Sequence, residues 1–174
     1  MDDLVRDLAR NLDVAFPRLV EHMSPRLYWG LRRMTGDGHQ AEDLSQEALI
    51  RVYRALSGYP PQRIRELRLE PWVWTIALNI GRNHLRDRSR RPTLVEETTD
   101  PAGYDLDPPD SAAWQRRLDA LTRAQREAVV LRHVVGLGIP EIADITGRPV
   151  GTCKADINRG LKKLREILEN EDEH

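Results

Sequence analysis

Residues 92–110, PTLVEETTDPAGYDLDPPD, hold four prolines, one glycine, six carboxylates and no lysine or arginine. Proline lacks a backbone donor, and like charges repel. Such a stretch cannot bury enough apolar surface to offset the entropy of ordering it. It therefore reads as a flexible acidic linker dividing the 174-residue chain into two blocks, 1–91 and 111–174. In both blocks the apolar residues recur at helical spacing, with no alternating strand pattern and no internal repeat. The expected fold class is all-α: two small helical domains, the C-terminal one a helix-turn-helix.

Residues 3–12, 14–23 and 26–35 suit three short amphipathic helices, the last two separated by Ser24–Pro25. TGDGH is a turn. AEDLSQEALIRVYRAL (41–56) is a strong amphipathic helix with Leu44, Ala48, Val52 and Ala55 on one face, and SGYPPQR breaks it. Pro71 fits the first turn of the next helix, where its missing N–H costs little. That helix runs to about Arg90 before Pro92. In the second block Thr122 and Gln125 fit a capping box opening a helix that ends at Gly136. A short helix, a turn at Thr146–Arg148 and a long helix follow, in the order of a helix-turn-helix.

The formal net charge of −1 hides a pattern. Residues 1–91 carry +4, the linker −6, residues 111–168 +5 and the tail ENEDEH −4. Such asymmetry points to a polyanionic partner where the net charge does not. One cysteine, Cys153, excludes an internal disulfide. No apolar run approaches membrane-spanning length, and the charged N-terminus is unlike a signal peptide. A soluble cytoplasmic protein is expected. The five histidines are scattered, and His39 with Asp43 gives too few ligands for a metal. There is no phosphate loop or nucleophile motif, so neither catalysis nor a cofactor is expected.

Projection at 100° per residue gives each block a two-faced helix. Val73, Trp74, Ile76, Ala77, Leu78, Ile80, His84 and Leu85 share an apolar arc. Opposite lie Thr75, Asn79, Arg82, Asn83, Arg86 and Arg90, with Trp72 among them. Arginines neutralise phosphates, asparagine pairs with adenine, and an exposed ring stacks on an unpaired base. The plain alternative is a solvated, dipole-complementing helix end, with Trp72 packed on the preceding loop. On the last helix Val150, Cys153, Ile157, Leu161, Leu164, Ile167 and Leu168 face inward. Gly151, Thr152, Ala155, Asp156, Arg159, Lys162 and Lys163 face outward, where small residues admit a groove and basic ones reach phosphates. Asp156 either accepts from a cytosine amino group or pairs with Arg159 three residues on. Cys153 reads as a small core residue.

Together the two blocks resemble the extracytoplasmic-function (ECF) sigma factors of bacterial RNA polymerase, sigma-70 family group IV. The likeness covers about residues 14–91 and 112–168. It is carried by SPRLYWGLRRMTGDGHQAEDLSQEALIRVYRAL, PWVWTIALNIGRNHLRDRSRR and LTRAQREAVVLRHVVGLGIPEIADITGRPVGTCKADINRGLKKLREIL. It implies an alternative, stress- or envelope-responsive sigma factor whose partners are core RNA polymerase (β′ clamp and β flap), promoter DNA and an anti-sigma factor. Asp43, Gln46, Glu47 and Arg51 match the polymerase-docking helix. Trp72, Asn79, Arg82, Asn83, Arg86 and Arg90 match the helix that engages the minus-ten element, and the loop 57–70 stands where the family captures a flipped base. Arg148, Thr152, Lys154, Ala155, Asp156, Arg159 and Lys162 fall on the minus-thirty-five recognition segment. Leu78 stands where the family often has a basic residue, and GTCKAD where it often has GTVKSR. A sigma-like mimic that sequesters an anti-sigma protein and a plain helix-turn-helix repressor remain as alternatives.

Overall fold

The structure, a computed structural model, describes residues 1–88 and 111–172. The expected linker 92–110 and Arg90 lie outside the described residues. Among the described residues there are helices and turns and no strand. The first lobe comprises α1 (Asp2–Arg10), α2 (Leu12–Thr35), α3 (Gly38–Ser57), α4 (Pro61–Arg65) and α5 (Leu69–Arg88). The second comprises α6 (Ser111–Asp119), α7 (Arg123–Val130, continued by a wider π-helical turn to Val135), α8 (Ile139–Thr146) and α9 (Val150–Asp172).

Helix starts follow local chemistry. Asn11 accepts from the Val14 backbone N–H at 3.3 Å and Asp37 from that of Gln40 at 3.1 Å. Thr122 and Gln125 form the expected capping box. Each cap satisfies an N–H with no partner inside its helix.

The two helices expected on either side of Ser24–Pro25 are one helix, α2, with Pro17 and Pro25 inside it. An interior proline costs about 3 kcal/mol. Leu19, Met23, Leu27 and Leu31 outweigh it: all are at most 1% exposed, and each contributes about 1.5–3 kcal/mol on burial. Both prolines sit on the exposed side. Within the expected loop 57–70, Pro61 opens the short helix α4.

The first lobe is organised by α2, against which α1, α3 and α5 pack. Trp74 of α5 is fully buried against Gly30 of α2. A Cβ at residue 30 would lie 2.4 Å from the indole Cη2, so a side chain there would push α5 away. In the second lobe α7 and α8 pack on α9. Gly147, at φ +67°, makes the left-handed turn between α8 and α9.

The lobes also pack on each other: α5 lies against α8, and α2 against α7 and the π-helical turn. Arg33 of α2 is 8% exposed and donates to the Ser111 carbonyl at 3.1 Å. Arg126 donates to the Met34 carbonyl at 3.4 Å. A small, mainly apolar cavity of about 170 Å³ remains in the seam, lined in part by Leu31, Met34, Leu78 and Gly81.

Candidate nucleic-acid interface

The face of α5 is set by what its opposite side buries. Leu69, Val73, Trp74, Ala77, Leu78 and Ile80 are at most 4% exposed, leaving Asn79, Asn83 and Arg86 in water. Arg86 donates to the Asn83 side chain at 3.2 Å, and the Thr75 hydroxyl donates to the Pro71 carbonyl at 3.0 Å. Arg82 belongs to the same row, but its side chain is 28% exposed and turned onto the second lobe. There Glu127 accepts from its Nε at 3.1 Å and its Nη2 at 2.7 Å. This hydrogen bond is the main reason the Arg82 guanidinium holds its proton above its ordinary range.

Trp72 is half-buried and packs against the core, where helical projection places it among the polar residues. Its ring lies 5.9 Å from that of Tyr59, centroid to centroid, with 51° between the planes. The Arg63 guanidinium sits 3.8 Å over the Tyr59 ring. Trp72, Tyr59 and Arg63 thus make a corner of two rings and one guanidinium beside the start of α5. Tyr59 and Arg63 escaped the sequence reading because they precede the helix that was projected. The available signal was SGYPPQR, which places an aromatic and a cation four residues apart across a proline-opened turn.

On α3, Asp43, Gln46, Glu47 and Arg51 are all exposed, on the side away from Leu44, Ala48 and Val52. Glu47 and Arg51 pair one turn apart. Ile50, 52% exposed, adds an apolar residue to that rim which the charged pattern did not single out.

On the helix-turn-helix, Gly151, Thr152, Lys154, Arg159, Lys162 and Lys163 are exposed and Ala155 is half-buried. Lys162 stands 4.0 Å from Glu166. Three placements differ from expectation. Val150 and Leu161, expected inward, are 49% and 36% exposed; Asp156, expected outward, is 7% exposed. The cause is Gly160. A Cβ there would fall 2.7 Å from the Val129 Cγ2, so α7 packs against the bare backbone of α9 at that point. The buried arc is centred about 60° away from Val150, on Cys153, Ile157, Gly160 and Leu164. Projection of the hydrophobic residues alone gave Gly160 no weight.

Asp156 is thereby drawn inward and accepts from two arginines, Arg148 Nη1 at 2.6 Å and Arg159 Nη2 at 2.9 Å. Arg148 also donates to the Ala124 carbonyl at 3.3 Å and is itself only 20% exposed at its side chain. In this arrangement the Asp156 carboxylate is engaged by Arg148 and Arg159 rather than turned outward. Cys153 is fully buried, 3.6 Å from the Thr146 hydroxyl.

Comparison with known proteins agrees with this geometry. Residues 19–91 match the model of sigma-70 region 2 and residues 111–164 that of sigma-70 region 4. The RNA polymerase sigma factor CarQ of Myxococcus xanthus is 36% identical, over 88% of this chain and 89% of its own length. The chain belongs to the sigma-70 family. It is an alternative, ECF-type sigma factor of RNA polymerase. The ECF sigma factor SigW of Bacillus subtilis is 29% identical over 88% of this sigma factor and 89% of its own chain. Among solved structures, the sigma factor RpoE of Bartonella quintana, crystallised with the anti-sigma factor NepR, superposes with a TM-score of 0.72 at 25% identity. That match covers 88% of this sigma factor and 96% of RpoE. CnrH, solved with the cytosolic domain of CnrY, has the same fold: TM-score 0.74 at 23% identity, over 97% of both chains. Among the described residues of this sigma factor, no helix is long and apolar enough to cross a membrane, and no group of three or more candidate ligands could hold a metal ion.

Proposed function

We propose that the two lobes divide the work of initiation. The exposed row Asp43, Gln46, Glu47 and Arg51 docks on the polymerase clamp. The α5 row Asn79, Asn83 and Arg86, with Arg82 once released, follows the phosphates of the opened minus-ten strand. The Trp72–Tyr59 corner supports its first unstacked base. Thr152, Lys154, Arg159 and Lys162 enter the major groove at the minus-thirty-five element, with Ala155 allowing close approach and Arg148 and Arg159 aligned by Asp156. An anti-sigma factor, the class of partner in the Bartonella structure, is the proposed regulator, and the cytoplasm, where polymerase works, the proposed compartment. Residues 1–91 and 111–174 serve as the two functional domains.

The observation that carries this reading is the α5 face: asparagines and arginines in one row, headed by a partly exposed tryptophan set at an angle beside a second ring. A stacking platform beside phosphate-neutralising arginines suits a junction of duplex and single strand. The test is transcription in vitro with core polymerase over a promoter library. The expected result is initiation from a defined set of paired elements. A mimic would give none while still binding an anti-sigma factor; a repressor would bind its site without polymerase.

A further inference from the structure

Helix α4 is five residues long, is opened by Pro60 and Pro61, and has no side-chain cap. A helix that short does not hold itself in water. Its one buried side chain is Ile64, 4% exposed. The helix against which α4 chiefly packs is α1. Helix α1, nine residues, is equally unable to stand alone. It turns Leu4, Val5, Leu8 and Ala9 into the same core as Ile64. Each of these short helices is ordered by tertiary contact, not by its own propensity.

Only Asn11 separates α1 from α2, and it fixes the angle between them. Its backbone N–H donates to the Asp7 carbonyl at 2.9 Å and closes α1, while its side chain caps α2. The Asp7 carboxylate accepts from Arg18 Nη1 at 2.6 Å, a second tie to α2. Helix α1 therefore passes the position of α2, the central helix of the first lobe, on to α4. The region 2 match begins at residue 19, so it assigns α1 no task.

What α4 carries is one side of the aromatic corner. Arg63 directly precedes Ile64, and its guanidinium lies 3.8 Å over the Tyr59 ring, which stands 5.9 Å from that of Trp72. Trp72 is placed by α5, which Trp74 anchors in the Gly30 notch. Tyr59 is tied to the end of α3 through its N–H, 3.1 Å from the Leu56 carbonyl. The Arg63 N–H donates within its own turn, to the Pro60 carbonyl at 3.0 Å, so the place of Arg63 follows that of α4. A guanidinium over one face holds a ring by attraction to its π electrons. Binding constellations of this kind tolerate only about 0.5 Å of misplacement.

We propose that α1 is a positioning element for base capture: by seating Ile64 it holds Arg63 over Tyr59 and keeps their corner with Trp72 shaped for an unstacked base. The proposal rests on the reading of that corner as a support for the opened strand. It separates two steps of initiation. The row Asp43, Gln46, Glu47 and Arg51 stands on α3, which packs on α2 and α5. Loosening α1 therefore harms strand opening and leaves polymerase docking alone.

The test compares the full chain with Leu8→Ala, which empties part of the α1 face, and with Leu8→Met, which refills it. All are assayed well below their melting midpoints. Leu8→Ala should bind core polymerase as the parent does and slow open-complex formation on a duplex promoter by roughly 5-fold or more, a coupling of ordinary size. Leu8→Met should open at the parent's rate. Arg63→Ala, at an exposed position, should itself slow opening, and adding Leu8→Ala to it should slow opening no further, because both act through one group. Without polymerase, hydrogen exchange at the Arg63 and Ile64 N–H groups should quicken in Leu8→Ala while the buried turns of α5 stay protected. If Leu8→Ala does not fold, Val5→Ala, a smaller truncation on the same face, takes its place. A variant that melts lower yet opens promoters at the parent's rate overturns the proposal and leaves α1 a stabilising helix only. An equal loss of polymerase affinity, or additive slowing on top of Arg63→Ala, overturns it as well. A parent that initiates, with variants that open normally, sinks the positioning role and spares the sigma assignment. A parent that fails to initiate sinks the assignment and base capture with it, while exchange in α4 still judges the seat on α1.

Discussion

The two helices proposed to meet nucleic acid, α5 and α9, are built on opposite plans. Helix α5 is pinned by one large side chain, Trp74, in a notch made by Gly30, and its central arginine is held by an acid of the other lobe. Helix α9 is pinned by small residues, Cys153 and Gly160, and its Asp156 holds Arg159 on the same helix and Arg148 in the turn before it. The same chemistry, guanidinium on carboxylate, therefore does two jobs. Across the seam it couples the lobes, and a change there reports on their separation. Within α9 it fixes side-chain direction, and a change there reports on one lobe.

Five substitutions sharpen or break that contrast. Trp74→Ala should have the largest effect, lowering stability by about 3–5 kcal/mol, as emptying a core aromatic does; thermal unfolding measures it, and an unchanged melting temperature would mean α5 is not pinned this way. Asp156→Ala should cost about 3 kcal/mol, the low end for breaking a buried ion pair, since the Arg159 side chain is 61% exposed. Its radius of gyration should stay that of the parent, because the loss is local. Asp156→Arg should likewise destabilise, by crowding a third cation beside Arg148 and Arg159. If either variant melts normally and alters preference at one base position, Asp156 reads DNA. Arg159→Ala should leave folding intact and weaken minus-thirty-five binding by ~1–3 kcal/mol, with a shallower salt dependence. Trp72→Ala should cost less than Trp74→Ala, about 1–3 kcal/mol of stability, because its ring is only partly buried against the core and Tyr59. It should slow open-complex formation on duplex promoters and be largely rescued by a pre-melted bubble. A stability loss equal to that of Trp74→Ala would make Trp72 a core residue.

Much of this was legible in the sequence, for physical reasons. The helix-turn-helix announced itself through the Thr122–Gln125 box and the glycine turn, both local signals. The assignment of Trp74 to the core and of Asn79, Asn83 and Arg86 to the surface followed from helical spacing alone. Helix α2 was split in the reading because proline is a local penalty while the burial that overrides it is tertiary. Asp156 was misplaced because the arc of α9 is centred by a glycine, and hydrophobic projection cannot see an absent side chain. The partnership of Arg82 with Glu127 joins residues 45 apart in sequence and on different lobes, where no periodicity connects them.

The separation of Arg82 from Glu127 also sets an order of events during synthesis. Their 45 residues take about 2–9 s to translate at ~5–20 residues per second. Throughout that interval the arginine row of the first lobe emerges beside ribosomal RNA with its seam partner not yet made. What emerges next is the 92–110 stretch, six carboxylates with no cation among them. A nascent chain thus carries a block of six carboxylates next to the arginine row before the acid that pairs with Arg82 has been made.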